Sequence, residues 1–269
     1  MINKKQTIFL SVIIPSYNEA KNFQRGCLDD ILPFLEQQKF SYELIFSDDG
    51  STDQTPNFLA SFIEKWQPKI EYGELFLLKN HHGGKASTVC AGMKKARGQF
   101  RLFTDFDQST PISELNKLLP YTDKYDIVFG SRKINTKDVD AKWYRKIIGD
   151  TFNLTTRLLT GLDIKDTQCG FKLFNQKASL LFDRLFVYNP NHTHETGAFT
   201  GAFDVELFVI ARENKLSFKE IPIKWHHFAT NRVNIVKDSW RMLLDIIKIR
   251  QAKKRGHYKK ATPPRIFEP

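Results

Sequence analysis

The first half of the sequence alternates short runs rich in β-branched and aromatic residues with longer runs of helical periodicity. Strands are predicted at residues 9–14, 42–46, 74–78, 100–104 and 126–130, and helices at 22–38, 55–66 and 85–96. This alternation is typical of βαβ units, which build a mostly parallel sheet flanked by helices. The predicted fold class is therefore α/β, and ligands of such sheets bind in the loops at the carboxyl ends of the strands.

The second half is less regular, with helices predicted at about residues 143–159 and 203–213. No internal repeat or low-complexity segment is visible, and no linker interrupts the chain before about residue 236. The predicted organisation is one domain at residues 1–235, followed by an amphipathic basic helix and tail at residues 236–269.

The composition excludes several classes of protein. A chain of 269 residues that is 41% hydrophobic can bury a sizeable core, which argues against disorder. Its apolar runs are shorter than the roughly 20 residues that span a bilayer. Cys27, Cys90 and Cys169 are odd in number and widely spaced, so they indicate neither a disulfide framework nor a zinc site. A reducing, cytoplasmic location is expected.

The net charge of +11 favours a polyanionic partner, which can be nucleic acid, anionic lipid or a phosphorylated substrate. Composition does not choose among these partners. The sequence contains no zinc-finger spacing and no aromatic RNA-binding motif, and this disfavours nucleic acid.

A pair of acids follows the predicted fourth strand in the segment FTDFDQSTP at residues 103–111. Asp105 and Asp107 are two positions apart, so an extended backbone would place them on one face, where like charges repel. A hydrogen-bonded loop relieves that repulsion, and so does a divalent cation, which prefers oxygen ligands. The pair is therefore either the polar end of a strand or a metal-binding site.

Two other loops contain residues suited to a nucleotide. In SDDGSTD at residues 47–53, Asp48 and Asp49 can accept hydrogen bonds from a nucleobase or a ribose, although capping of the next helix is an alternative role. In NHHGGK at residues 80–85, the glycines allow close backbone approach and Lys85 places a positive charge at a helix start, which suits phosphate. The two histidines are interpreted as ordinary polar loop residues.

Together with PSYNE at residues 15–19, these loops resemble those of glycosyltransferase family 2, whose members have the Rossmann-like GT-A fold. The segments GSR (130–132), DTQCGFKLF (166–174), AFDVELFVIAR (202–212) and EIPIKW (220–225) more narrowly resemble dolichyl-phosphate β-glucosyltransferases and their prokaryotic polyprenyl-phosphate relatives. The resemblance covers about residues 8–250 and implies a single GT-A domain.

The resemblance also implies roles for matching residues. The nucleotide-sugar pocket would contain Pro15, Tyr17, Glu19, Asp48, Asp49, Lys85 and Asp105. Asp105 and Asp107 would form a DxD motif that binds Mg²⁺ or Mn²⁺, with Asp107 as the direct ligand. Catalytic roles near the phosphates and the sugar would fall to Arg132, Arg145 and Asp204, and acceptor binding would fall to Gln168, Gly170 and Lys172.

The expected activity is inverting, metal-dependent transfer of a hexose, with UDP-glucose as the expected donor, to a polyprenyl or dolichyl phosphate. The protein is expected to lie peripherally at the cytoplasmic face of a membrane. Alternatives are transfer to a soluble saccharide or protein acceptor, and a non-catalytic protein that binds nucleotides or nucleic acid.

The C-terminal segment at residues 238–250 places Trp240, Leu243, Leu244 and Ile247 at helical spacing beside basic residues. A helix that packs this stripe on its own domain is one interpretation. The other is an interfacial helix that binds a membrane.

Overall fold

The computed structural model describes residues 7–134, 153–190, 201–226 and 235–259. Within these residues, seven strands form one sheet. They are β1 (Leu10–Ser16), β2 (Tyr42–Asp48), β3 (Gly73–Lys79), β4 (Phe100–Thr104), β5 (Ile127–Ser131), β6 (Phe171–Asn175) and β7 (Phe218–Pro222). Their order across the sheet is β3-β2-β1-β4-β6-β5-β7.

Strand direction decides which loops share one edge of the sheet. β1 runs parallel to both β2 and β4, and β2 runs parallel to β3, so these four strands end at one edge. β6 runs antiparallel to β4, with Phe171 opposite Thr104. The residues that enter β6 therefore lie beside the residues that leave β4, which brings the segment near residue 170 to the acids after β4.

The described helices surround this sheet. They are α1 (Ala20–Gln24), α2 (Ile31–Gln37), α3 (Thr55–Trp66), α4 (Gly84–Lys95), α5 (Leu115–Leu118), α6 (153–160), α7 (Gln176–Ser179), α8 (Phe203–Glu213) and α9 (Ile235–Lys254). The mostly parallel α/β fold predicted from the sequence is confirmed, and α3 and α8 have the predicted bounds.

The prediction of a single helix at residues 22–38 was wrong. The chain forms α1 and α2 instead, because Gly26 adopts a positive φ of 75° in the turn between them, a conformation that ends a helix. Most of the helix predicted at 143–159 lies outside the described residues, of which 153–160 are helical.

Alternating side chains along the strands pack into a core on each face of the sheet. Ile13 and Phe103 face one core, which also contains residues of α4, α8 and α9. Val12 and Leu102 face the other core, with residues of α2 and α3. Both faces of the central strands are thus covered, as parallel sheets require, and polar groups concentrate at the strand ends.

The C-terminal helix α9 packs on the domain through an unexpected face. Ile246 and Ile249 are fully buried in the core shared with α8, whereas Trp240, Leu244 and Ile247 are exposed. The apolar stripe recognised in the sequence is therefore mostly the outward face of a helix that packs through its other side. No helix in the described ranges is both long and apolar enough to cross a bilayer.

Candidate active site

The turn after β4 presents Asp105 and Asp107 at the carboxyl edge of the sheet. Phe106, between them, is 3% exposed and belongs to the core, so it anchors the turn. Asp107 accepts a hydrogen bond from the backbone N–H of Ser109 at 2.9 Å. Burial and the nearby carboxylate of Asp105 raise the pKa of Asp107. Charge repulsion between the acids is therefore relieved only in part by the loop.

Lys85, in the first turn of α4, places a positive charge beside the acids. Its Nζ lies 2.6 Å from Oδ1 of Asp105. Burial alone would lower the pKa of Lys85, but the carboxylates of Asp105 and Asp204 raise it above its usual value. Lys85 therefore remains a cation at neutral pH and can act as a fixed positive charge beside the acids.

A second lysine and acid pair lies deeper in the same region. Lys172 of β6 and Asp204 of α8 are 2.6 Å apart, and their side chains are 1% and 6% exposed. Lys172 also donates to the carbonyl oxygen of Cys169. Burial raises the pKa of Asp204, although Lys172 and Lys85 act in the opposite direction. Lys172 is thus held inside the protein beside the carboxylate of Asp204.

These five residues, Lys85, Asp105, Asp107, Lys172 and Asp204, form what we call the charged cluster. The Nζ atoms of the two lysines lie 5.2 and 5.8 Å from the ring centroid of Phe103, which places them on the same side of the sheet. With ionised carboxylates the cluster has two positive and three negative charges. The net charge of −1 leaves the cluster able to attract a cation.

Gly170 closes one side of the cluster. A Cβ atom at this position would lie 1.9 Å from Oδ2 and 2.6 Å from Oδ1 of Asp105. Only glycine allows the backbone before β6 to approach the carboxylate of Asp105 so closely. The DTQCGFKLF segment therefore shapes the position of the first acid of the pair.

Arg132, which directly follows β5, forms a bidentate ion pair with Asp166. Its Nε and Nη2 atoms donate to the two carboxylate oxygens at 2.7 and 2.8 Å, and its backbone N–H donates at 2.9 Å. Burial alone would raise the pKa of Asp166, but the guanidinium of Arg132 holds it below its usual value. Arg132 is thus fixed in orientation. Arg145 lies outside the described residues.

The predicted nucleotide loops are held together by their own acids. Asp48 accepts hydrogen bonds from Ser16 and Ser51. Asp49 accepts from the backbone N–H groups of Gly83 and Gly84 at 2.9 and 3.0 Å, and its Oδ2 is 2.9 Å from Nδ1 of His82. Asp49 therefore fixes the loop that positions Lys85, a link that the sequence did not reveal.

The other predicted nucleotide residues lie around the same loops. Pro15 is in β1 opposite Ser47, and Tyr17 stacks on His82 with ring centroids 4.4 Å apart. Glu19 accepts a hydrogen bond from Asn22 and its backbone N–H donates to Thr55. The structure thus brings these residues to the same edge of the sheet as Asp105.

Several buried polar atoms near the candidate site have no hydrogen-bond partner within the described chain. They include Oε1 of Gln108, Oγ1 of Thr167 and Nε2 of Gln168. An unsatisfied buried polar atom costs about 1–3 kcal/mol, so such atoms mark places where a ligand or water would bond. Gln108, Thr167 and Asp166 were not predicted as site residues. All three lie inside the quoted segments FTDFDQSTP and DTQCGFKLF, and that position is the only signal for them in the sequence.

The acids alone do not complete a metal site. In the described ranges, no group of three or more His, Cys, Asp or Glu side chains is arranged to hold a metal ion. A cation bound by Asp105 and Asp107 would need further oxygen ligands, which the amide oxygen of Gln108 and a bound diphosphate can supply.

The chain is similar to known proteins in both sequence and structure. The sequence model of "Glycosyl transferase family 2" matches residues 11–181. The chain is 33% identical to the dolichyl-phosphate β-glucosyltransferase of Saccharomyces cerevisiae, over 94% of this chain and 78% of the yeast protein. It is 34% identical to the enzyme of the same name from Dictyostelium discoideum, over 92% and 76% of the two chains.

Among solved structures, mannosyl-3-phosphoglycerate synthase from Rubrobacter xylanophilus superposes with a TM-score of 0.59 at 15% identity. The match covers 95% of this chain and 77% of that one. At this identity the likeness shows a shared fold.

Proposed function

This chain is a glycosyltransferase of family 2, and we propose that it transfers glucose from UDP-glucose to a polyprenyl or dolichyl phosphate with inversion at the anomeric carbon. The yeast and Dictyostelium relatives are named for transfer to dolichyl phosphate, and they match nearly the whole chain. The observation that carries the proposal is the charged cluster at the carboxyl edge of the sheet, where a diphosphate donor would bind.

Asp105 and Asp107 would bind Mg²⁺ or Mn²⁺ together with the donor diphosphate. The residues fit such an ion, because both carboxylates and the unpartnered amide oxygen of Gln108 are the hard oxygen ligands that these cations prefer. When bound, the cation neutralises the charge that develops on the departing diphosphate. The raised pKa of Asp107 supports this role, since burial and the carboxylate of Asp105 oppose its negative charge more than Ser109 and Lys85 stabilise it.

Lys85 would bind and orient the donor diphosphate. Its ammonium group is held by Asp105, and the residue lies in the first turn of α4, where the helix dipole also favours anions. Asp49 holds the preceding glycines in place, so the lysine and the backbone are organised before the donor arrives. Such preorganisation stabilises charge in the transition state without reorganisation during the reaction.

The proposed acceptor explains why the chain needs no strong general base. A lipid phosphate is already ionised near neutral pH, since its second ionisation has a pKa of about 6. Its oxygen can attack the anomeric carbon directly, in one in-line step that inverts configuration. The Nε2 donor of Gln168 and the hydroxyl of Thr167, both buried without partners in the described chain, would hydrogen-bond to the acceptor phosphate.

A soluble saccharide or protein acceptor is the alternative. A hydroxyl acceptor would need a general base, and Asp204, whose pKa is raised by burial, is the carboxylate of the cluster suited to that task. Its close pairing with Lys172 argues against this role, because the lysine stabilises the unprotonated carboxylate. The lipid phosphate is therefore the favoured acceptor. The proposed location is a membrane surface, on its cytoplasmic side.

A panel of nucleotide sugars tests the proposal. Each donor is incubated with Mg²⁺ or Mn²⁺ and a short polyprenyl phosphate, and release of the nucleotide and formation of the glycosyl phosphate are measured. The proposal predicts turnover with UDP-glucose that is stimulated by the lipid phosphate and abolished by EDTA. Turnover that is instead stimulated by a free saccharide would establish the alternative acceptor.

A further inference from the structure

The outward side of α9 presents a compact apolar surface. Trp240, Leu244 and Ile247 are 63%, 43% and 38% exposed, and their spacing of four and three residues places them on one side of the helix. Ile246 and Ile249, on the opposite side, are fully buried. We call the three exposed residues the outer face. A tryptophan exposed on one face of a helix that already packs through its other face indicates a contact outside the domain.

Basic residues continue this surface along the helix. Lys248, Arg250, Lys254 and Arg255 are exposed and follow directly after the outer face. Lys248 pairs with Asp245 at 2.9 Å, but no ion pair within the described residues involves Arg250, Lys254 or Arg255. The exposed side of the helix thus presents apolar residues between positions 240 and 247 and basic residues between positions 248 and 255. This combination suits an anionic, partly apolar surface.

Polar contacts hold α9 in a fixed position relative to the candidate active site. The hydroxyl of Tyr188 donates to Asp245 at 2.5 Å and accepts from the backbone N–H of Ala202 at 2.6 Å. Ala202 directly precedes α8, whose second residue, Asp204, belongs to the charged cluster. The residue next to Leu244 is therefore connected through one tyrosine to the start of the helix that contributes Asp204.

The turn that follows the helix is also held to the domain. The hydroxyl of Tyr258 donates to Glu206 of α8 at 2.7 Å, and Glu206 also accepts from the backbone N–H groups of Phe186, Val187 and Tyr188. Glu206 is fully buried. The outer face is therefore presented by a helix tied to the domain at two points, and presenting it requires no local unfolding.

We propose that the outer face of α9 docks on the surface of an anionic lipid bilayer. Trp240, Leu244 and Ile247 would enter the interfacial region while the following basic residues bind lipid phosphates. A second copy of the chain fits this surface less well, because the exposed positive charges of two copies would repel. The inference deepens the proposed function, since docking through α9 would bring the start of α8 and the charged cluster close to a lipid acceptor.

Vesicle flotation of the full-length protein tests the docking surface. The vesicles contain phosphatidylcholine alone, or three parts phosphatidylcholine to one part phosphatidylglycerol. The test variant is Trp240→Ser/Leu244→Ser/Ile247→Ser. The matched control is Leu154→Ser/Leu158→Ser, which replaces exposed leucines of α6 that are 58% and 74% accessible. All of these side chains are solvent-exposed, so both variants are expected to fold, which circular dichroism verifies.

The proposal predicts that wild-type protein floats with the anionic vesicles and that raising the salt from about 0.1 M to about 1 M weakens binding, because the ionic component is screened. The triple variant should bind at least about tenfold more weakly, a loss of about 1.4 kcal/mol, while the α6 control binds like wild type. Equal flotation of the triple variant and wild type would overturn the proposal. A dimer that is lost in the triple variant, without vesicle binding by wild type, would assign the face to a second copy.

A parallel assay separates this inference from the proposed function. Transfer to a short, water-soluble polyprenyl phosphate should be unchanged in the triple variant, whereas transfer to a long-chain acceptor in vesicles should fall with vesicle binding. If no lipid phosphate accepts the sugar, the proposed function fails, yet the flotation result still decides whether α9 docks on lipid. If the triple variant loses transfer to both acceptors equally, the outer face acts on catalysis and the docking proposal is wrong.

Discussion

Replacing Gly170 with alanine should impair catalysis by displacing Asp105. The new Cβ would stand 1.9 Å from Oδ2 of Asp105, and ordinary contact begins at 3.4 Å. The carboxylate must therefore move by about 1.5 Å, and a shift of about 1 Å in an active site can reduce turnover about 100-fold. We predict a loss of about 100-fold in kcat/KM, equivalent to about 2.7 kcal/mol in the activation barrier.

The fold should tolerate this substitution, because φ at Gly170 is not positive and the atoms that must move belong to one side chain near the surface. Initial rates of metal-dependent nucleotide release and the thermal unfolding midpoint are measured together. The control is Gly92→Ala, whose Cβ would meet Ile13 at 2.4 Å inside the core. The control should lose stability but keep kcat/KM per folded molecule. Full activity of Gly170→Ala would show that the position of Asp105 does not govern the reaction.

The remaining predictions concern the charged residues. Asp107→Ala should lower metal-dependent transfer at least about 100-fold, because a bound cation contributes several kcal/mol to stabilising the transition state. The fold should be preserved. Initial rates check the first expectation and circular dichroism the second. Lys172→Met should lower the free energy of unfolding by about 3 kcal/mol by leaving Asp204 buried without its partner, and Lys172→Met/Asp204→Leu should recover most of that loss in urea denaturation. In EDTA, Asp107→Asn should stabilise the fold at neutral pH, because the folded-state pKa of Asp107 is raised and its charge opposes folding once the pH exceeds that pKa. The gain should vanish as the pH falls below the unfolded pKa of about 3.9. Asp166→Asn should behave oppositely, because the folded-state pKa of Asp166 is lowered. The greater stability of the wild-type protein should be full above the unfolded pKa and should be lost as the pH falls through the folded pKa. Thermal unfolding at several pH values distinguishes the two variants.

The strands and several helices could be predicted because their signals are local. The predicted strand at residues 100–104 has the same bounds as β4, and the helices at 55–66 and 203–213 match α3 and α8. Hydrophobic periodicity and β-branched runs specify such elements without reference to the rest of the chain. The break between α1 and α2 was missed, since one glycine in a helical pattern does not reveal that it adopts a positive φ.

The face through which α9 packs could not be predicted from periodicity. Trp240, Leu244 and Ile247 make the more conspicuous stripe, but Ile246 and Ile249 are the residues that enter the core. A helix with apolar residues on two sides leaves its orientation to the partner surface, here α8. The contacts of Tyr188 and Glu206 that fix this orientation join residues far apart in the sequence.

At the candidate site, motif order brought the acids, Lys85 and the DTQCGFKLF segment to one edge of the sheet, as the expected topology requires. Which side chains form ion pairs could not be predicted from the sequence. Arg132 with Asp166 and Lys172 with Asp204 are separated by 34 and 32 residues, and nothing local specifies either pair. The catalytic and binding roles assigned to these residues stay predictions.

Calorimetric titration of UDP-glucose into the protein tests the central claim most directly, because that claim is cation-assisted binding of the donor diphosphate at Asp105 and Asp107. With Mn²⁺ present, wild-type protein should bind the donor at least about tenfold more tightly than in EDTA, and Asp107→Ala should show no such difference. Equal affinity of wild-type protein with and without the cation, or an undiminished effect of Mn²⁺ in Asp107→Ala, would contradict the account.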